Sequence, residues 1–474
     1  MHFASTCDPS FLAVHELLGC GNVDGPMDET VDTTGGLARR SAWACVTRAV
    51  LVFCAVVGTT ACPGPPGPDA GDDVDAGSAR VRVEEPLAFD PDDVPPSALL
   101  DAESMPPGLA LVDLGALGTG PDGKTSSIAV DVHTGTRSIG FLAFGDADVV
   151  LIATEVRAPD GRVVLTDTAP ADVTDVERTA ARGFPGQLFS VVRALPSLES
   201  TALVLPSATA VPLEPGTWRV QFGAFSVQEG GALPVVTPAL RPVVVGVLLD
   251  DTPPASAAPS LSIVLHVGVE GIAAETALDD PAVAAGIAGL VDTFASVGIV
   301  VEVERTLALV DPSLRTVLLD DDTCTGGDLD TLFREADGSE GQALHLFIIE
   351  RFSCEVAGGI PVGQGIAGIA GAIPGVAPAR TSSHAGVAVA HAFFADHTTT
   401  FPTVVAHEVA HFLGLFHTRE TTRTGVRPIA DLVDDTPDTF PEARDNLMSP
   451  LAGTDRTITD GQSDVLVRHP LVRP

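Results

Sequence analysis

At 474 residues the chain has room for two or three domains, each with its own core. Its balance is strongly acidic, 63 Asp and Glu against 26 Lys and Arg, which excludes nucleic acid as a partner because phosphate binding needs clustered positive charge. Hydrophobic content of 45% suits a globular protein, no stretch beyond residue 62 reaches membrane-spanning length, and tyrosine is absent altogether. The acid excess keeps a surface soluble and would also draw in a cationic substrate.

Residues 1–62 read as an export segment. Arg39, Arg40 and Arg48 precede the apolar run Ala49–Val57, and small residues follow up to Cys62. Positive flank, short apolar stretch and small residues before a cleavage point make a signal peptide. Cys62 stands where a bacterial lipobox puts its lipid-bearing cysteine, although Thr59 replaces the usual Leu or Val. Lipidation at Cys62 and plain cleavage are both open. The 38 residues ahead of Arg39 are what a start codon set too far upstream would give, with Met27 or a later one as the true start. The expected location is therefore the bacterial cell envelope, by lipid attachment, or the medium outside. Residues 63–79, rich in Pro, Gly and Asp, read as a solvated tether.

From 80 to 250 short β-branched runs alternate with Gly, Asp and Pro turns: Ser127–Val132, Ser138–Phe144, Val149–Val156, Arg162–Thr166, Ala202–Leu205, Gly216–Phe222 and Val243–Leu249. Many short strands without helical periodicity predict an all-β sandwich, an accessory domain with no catalytic constellation. From 255 to 474 the pattern changes to α/β. Leu261–Val269, Ile299–Val303 and Ala343–Ile349 read as strands, Pro281–Ser296 as a helix, the Gly-rich run 358–376 as a loop, and Gly386–Phe394 as a further strand. Five cysteines, Cys7, Cys20, Cys45, Cys54 and Cys62, precede the tether, leaving Cys324 and Cys354 for the folded body. Two cysteines in an exported protein read as one disulfide, and their spacing excludes a CxxC-type metal site.

The chemistry lies at 403–418. A helix opening at Thr400 and Pro402 puts His407 and His411 on one side, with Glu408 beside them and Val405, Val409 and Phe412 on the opposite, core-facing side. Gly414 can end the helix in a left-handed conformation, so that His417 turns back toward the other two. Three neutral imidazoles hold zinc with a fourth position open, and Glu408 is placed as general base.

His407-Glu408-x-x-His411-x-x-Gly414-x-x-His417 resembles the metzincin signature at every fixed position. Downstream, Asp445–Ser449 resembles the Met-containing turn of that family, with Met448 as its methionine. The stretch Asp431–Pro437, the Asn446-Leu447-Met448 run and the closing Thr459–Gln462 and Asp464–Arg468 are similar to the pappalysin branch. The resemblance covers the chain from about 255 onward and is specific from 403 to 468. It implies a secreted zinc metalloendopeptidase acting on a peptide or protein substrate, which an edge strand ahead of the helix, supplied by Gly386–Phe394 or by the run 358–376, would align. Two departures stand out. Pro450 occupies the position where many metzincins place a Tyr, and no Cys-containing inhibitory prosegment is visible. A catalytically silent surface binding protein that keeps its zinc site, and a zinc hydrolase acting on something other than peptide bonds, are the competing readings.

Two weaker clusters complete the inventory. Asp431, Asp434, Asp435 and Asp438 could bind calcium or form an acidic solvated loop. His384, His391 and His397 with Asp396 could form a second metal site or be ordinary strand and loop residues.

Overall fold

A computed structural model of the chain describes residues 80–95, 99–181, 183–228, 234–253, 257–319, 327–336, 343–353, 355–356, 360–361, 366–375, 384–392, 401–419, 429–437, 442–450 and 456–473. The export segment with Cys62, the tether, Cys324, Cys354, Asp396, His397, Thr400 and Asp438 lie outside these residues. Among the described residues no helix is long and apolar enough to cross a membrane.

The first half is built from strands β1 (Val81–Val83), β2 (Leu109–Leu117), β3 (Ile128–Val132), β4 (Ser138–Phe144), β5 (Val150–Arg157), β6 (Val163–Thr166), β7 (Ser197–Leu198), β8 (Ser200–Leu205), β9 (Gly216–Gln228), β10 (Val235–Pro238) and β11 (Val243–Asp250). All pair antiparallel. One sheet runs β1-β3-β9-β5-β6, with β10 added to β9 and β7 to β5; the other runs β2-β11-β4-β8. Period-two alternation explains the arrangement: Ile128, Val130 and Val132 of β3 and Trp218, Val220 and Phe222 of β9 share one core with Phe141, Val245 and Val247 of the second sheet. Two helices too short to show a periodicity, α1 (Asp175–Ala180) and α2 (Pro185–Leu188), interrupt what the sequence presents as strands alone. Strand β2 also goes unannounced, because its Leu, Ala and Gly residues carry little β-propensity.

The second half centres on a mixed sheet of order β13-β12-β15-β20-β19, formed by β12 (Ser260–Gly268), β13 (Val300–Ala308), β15 (Leu344–Ile349), β19 (Gly368–Ala370) and β20 (Val387–Ala390). β12, β13, β15 and β20 are parallel, and β19 closes the edge antiparallel to β20. Helix α3 (Pro281–Ala295) makes the crossover from β12 to β13. Pro281 opens it and the Asp280 side chain accepts from the Ala282 and Val283 N–H groups, both at 3.0 Å. On one face of the sheet Leu265, Leu346 and Val389 pack under α3 and under α5 (Phe401–Phe412). On the other, Phe347, Ile349 and Ala388 pack under α4 (Asp328–Arg334) and the small pair β14 (Thr316–Leu318) and β16 (Arg351–Ser353). A two-strand pair, β17 (Glu355–Val356) and β18 (Ile360–Pro361), precedes β19. Helix α6 (Asp460–Arg468) and β21 (Val472–Arg473), which pairs with β12, end the chain. The Gly-rich run, expected as a loop, thus contributes the edge strand. Its backbone pairs with β20 regardless of side-chain pattern.

The halves touch through charged and polar groups and through apolar side chains, Leu195 packing with Ile373 and Phe416 and Leu188 with Ile429. Arg137, just before β4, pairs with the buried Asp250 carboxylate and donates to the carbonyls of Val467 at 2.7 Å and Val472 at 2.9 Å. Removing one partner of a buried pair strands the other. Arg137→Met is therefore expected to lower unfolding stability by about 3 kcal/mol, read by urea titration. A loss below the scatter of ordinary surface substitutions would show that Asp250 finds another partner.

Three buried histidines are held neutral. His266 and His345 meet at 2.9 Å, and His266 stacks on Phe347. Burial, the neighbouring His345 and Arg305 hold His266 down at about 3; burial and Arg305 hold His345 at about 4; burial and Arg137 hold His469 at about 3. Each folded-state value lies below the unfolded one near 6.5, so the unfolded chain takes up the protons. The stability that these groups contribute is complete above about pH 6.5 and is lost as pH falls toward 4 and 3. Denaturant titrations in chelator between pH 8 and 4 should show this decline, with a smaller slope for His266→Phe; equal slopes would remove the pair from the account.

Candidate metal centre

Helix α5 buries its polar side as well as its apolar one. From Val404 through Phe412 it is buried on all sides, His407, Glu408 and His411 included. Val405, Val409 and Phe412 face the core as expected. The polar side is covered by β19 and by the turn at 446–449. A Cβ on Gly368 of β19 would lie 2.6 Å from Glu408 Cγ, so only glycine lets the edge strand pass this closely.

Beyond Phe412 the helix ends in a Schellman motif. The Leu415 N–H donates to the Ala410 carbonyl at 3.0 Å and the Gly414 N–H to the His411 carbonyl at 2.9 Å, with Gly414 at φ +106°. This reversal brings His417 back over the helix. The ring centroids of His407 and His411 are 4.5 Å apart, those of His411 and His417 4.6 Å, and those of His407 and His417 5.3 Å. Their ligand atoms all lie within 4.8 Å of one another, and this is the one group of three or more metal-ligating side chains among the described residues. His407 and His411 are buried; His417 is partly open.

Backbone carbonyls set the ring tautomers. His407 Nδ1 donates to the Leu447 carbonyl at 2.6 Å and His411 Nδ1 to the Leu415 carbonyl at 2.7 Å. A carbonyl only accepts, so in each neutral ring the proton sits on Nδ1 and the Nε2 lone pair is left available. His411 Nε2 and His417 Nε2 come within 3.1 Å. Convergent imidazole lone pairs of this kind are the donor set of a borderline-soft divalent cation, and the residues fit one. The segment carrying His417 is tied to the same turn, since the Thr418 N–H donates to the Met448 carbonyl at 3.0 Å. Met448 is fully buried and Pro450 is buried beside it.

Glu408 lies on the same helix with both carboxylate oxygens buried and unpartnered among the described residues. The Ala370 N–H of β19 faces it without closing a hydrogen bond of normal geometry. Burial pushes the carboxyl well above its ordinary range, and that nearby N–H opposes the shift.

Among the described residues the other candidates do not form a second metal-ligand cluster. His384 Nε2 lies 2.7 Å from Ser197 Oγ, and His391 faces Asp280 at 3.4 Å. Asp431 accepts from Thr436 Oγ1 at 2.6 Å and the Val433 N–H at 3.2 Å; burial raises it to about 6. Asp435 accepts from Thr459 Oγ1 and the Gly461 N–H at the start of α6. Their carboxylates brace loops and a helix end and do not converge on a calcium-sized site. Sequence reasoning missed Gly368 and the carbonyls of Leu415, Leu447 and Met448. The first hid in a Gly-rich run, and backbone carbonyls carry no residue signature.

No protein-family model matches the chain, and no curated protein does. Among solved structures it is similar to metalloproteinase-II from Bacteroides fragilis, at 13% identity and TM-score 0.25, over 48% of this chain and 62% of that one. The chain thus spans less than two thirds of that structure's length. A Bacillus subtilis protein (9% identity, TM-score 0.12, 51% of this chain and 53% of that one) and a family two carbohydrate esterase from Cellvibrio japonicus (11%, 0.13, 50% and 75%) resemble it less. At such TM-scores none of them assigns a fold, and the histidine geometry alone carries the functional reading.

Gly414→Ala tests the helix end. A side chain at this φ costs about 1–2 kcal/mol, and relief of the strain would swing His417 away. The variant is expected to fold but to retain less than stoichiometric zinc after dialysis, measured by elemental analysis. Full retention would mean that His417 does not depend on the Gly414 conformation.

Proposed function

We propose that the chain is an exported zinc metalloendopeptidase of the metzincin type, with a β-sandwich accessory domain over 80–250 and the catalytic domain from 255. His407, His411 and His417 would hold the zinc, and Glu408 would serve as general base. The observation that carries the reading is the convergence of three histidines, two of which direct Nδ1 to a backbone carbonyl, beside a buried carboxylate on the same helix. Zinc held by these three imidazoles would supply Lewis acidity toward a peptide carbonyl and would acidify a bound water.

The remaining work falls to the chain. Glu408, next to His407 on the same helix, would take a proton from water and hand it to the departing amine. Among the described residues strand β19 is the last strand of the sheet on the side of Glu408. An extended peptide could add to it by backbone hydrogen bonds, which sets its direction without fixing its sequence. Because the chain has no tyrosine and Pro450 is buried by the turn, stabilisation of a developing oxyanion would fall to the ion and to backbone donors. The export segment, with lipidation at Cys62 or plain cleavage, would place this activity at the bacterial envelope or outside the cell.

Glu408→Gln keeps the shape of the site and removes the base. Zinc content should stay stoichiometric while cleavage of a peptide library falls by about 10²- to 10⁴-fold, and chelator should abolish wild-type cleavage. Undiminished cleavage by the variant would overturn the assignment of Glu408. Zinc binding without any wild-type cleavage would favour a surface binding protein that retains its metal.

A further inference from the structure

We infer that the buried amide pair of Asn446 and Gln462 is the positioning element of the histidine cluster, acting on His407 through the Leu447 carbonyl; this rests on the reading of the cluster as a metal site. Asn446 opens the turn that runs to Ser449, and Gln462 lies in the first turn of α6. Their side chains form a reciprocal ring: Asn446 Nδ2 donates to Gln462 Oε1 at 2.9 Å, and Gln462 Nε2 donates to Asn446 Oδ1 at 3.0 Å. Each oxygen accepts a second bond, Asn446 Oδ1 from the Met448 N–H at 2.8 Å and Gln462 Oε1 from the Thr459 N–H at 3.1 Å. Both side chains are almost wholly buried, at 2% and 0% exposure.

Two primary amides withdrawn from water contribute little net stability even when satisfied, and apolar residues of the same shape could fill the space. What the pair supplies is direction. With Met448 N–H bound to Asn446 Oδ1 and Asn446 bound to Gln462, the peptide units of the turn cannot rotate independently of α6. The Leu447 N–H donating to Thr457 and Arg456 Nη1 donating to the Asn446 carbonyl fix the same turn from its far side. The two carbonyls the turn aims inward are those that serve the cluster: Leu447 takes the His407 Nδ1 proton and Met448 takes the Thr418 N–H next to His417. His411 stands apart, since its Nδ1 is bound by Leu415 at the end of its own helix. The pair therefore governs His407 directly, His417 through its neighbour, and His411 not at all.

That separation provides the test. Imidazole ¹⁵N spectra of the full-length protein in chelator report ring tautomers, and His407→Gln identifies the His407 signals. Wild type should show His407 and His411 each with the proton on Nδ1. In Gln462→Met and Asn446→Leu, His407 should become a mixture of tautomers while His411 stays unchanged. Zinc affinity, measured by competition with a chelator, should fall about 10- to 100-fold, the usual scale for groups that orient a ligand. Two variants are used so that one poorly folding chain does not decide the matter, and circular dichroism confirms the fold at the measuring temperature. A His407 that keeps its tautomer in both folded variants would overturn the proposal, as would equal disturbance of His411, which marks general loosening. A wild-type protein that binds no zinc would overturn the metal-site reading, while the tautomer comparison would still decide what the pair does.

Discussion

A neutral imidazole carries one proton, and the nitrogen that holds it cannot offer a lone pair to a cation. The cluster therefore depends on two carbonyls more than on the histidines themselves. The Leu447 and Leu415 oxygens pin the protons of His407 and His411 to Nδ1 and leave each Nε2 for the centre. Those carbonyls must be held at fixed angles, and each is held differently. Leu415 is placed by the Schellman reversal at Gly414, so the helix that bears His411 also orients it. Leu447 belongs to a turn distant in sequence, and its angle needs a brace from α6. One ligand is positioned locally and another by tertiary structure.

The same packing that aims the histidines sinks Glu408. A carboxyl buried without a hydrogen-bond partner among the described residues is costly, and Glu408 sits against Gly368 of the edge strand in that state. The bare Cα of Gly368 is part of that arrangement. Any side chain there would displace the carboxyl or lift β19 off the helix.

Much of this was legible in the sequence, and the pattern of what was not has a physical basis. The strands Ser138–Phe144, Val243–Asp250 and Ser260–Gly268 and the helix from Pro281 follow from alternation, β-branching and capping, which are local properties. The three histidines and Gly414 were readable because ligand chemistry and a positive φ demand particular residue types. β2 was missed for want of β-propensity. β19 lies in the Gly-rich run 358–376, which reads as a loop and as one of two candidates for an edge strand, because glycine carries too little β-propensity to mark the strand itself. The burial of the polar side of α5 was not legible, because the elements that cover it, β19 and the 446–449 turn, have no local signature of covering anything. Asn446 and Gln462 were visible as residues in similar segments but not as a pair, since nothing in a sequence states that two amides meet.

Contacts between the halves belong to this last class and bear on the site. Arg193 donates to the Ala430 carbonyl at 2.9 Å and stands over the Phe416 ring, directly before His417. Leu195 packs with Phe416 and Ile373, and its N–H donates to the Ile373 carbonyl just past β19. Arg137 donates to the carbonyl of Val467 near the far end of α6, the helix whose first turn braces Leu447, and to that of Val472 in β21. The strand-rich half thus touches the loop after the third histidine, the segment after the edge strand and the end of α6. Most of these bonds run from a side chain or amide to a backbone carbonyl, and they survive changes of residue type on the receiving side. A half joined to the site in this way acts as part of its scaffold, because loosening it would release three of the elements on which the histidine geometry rests.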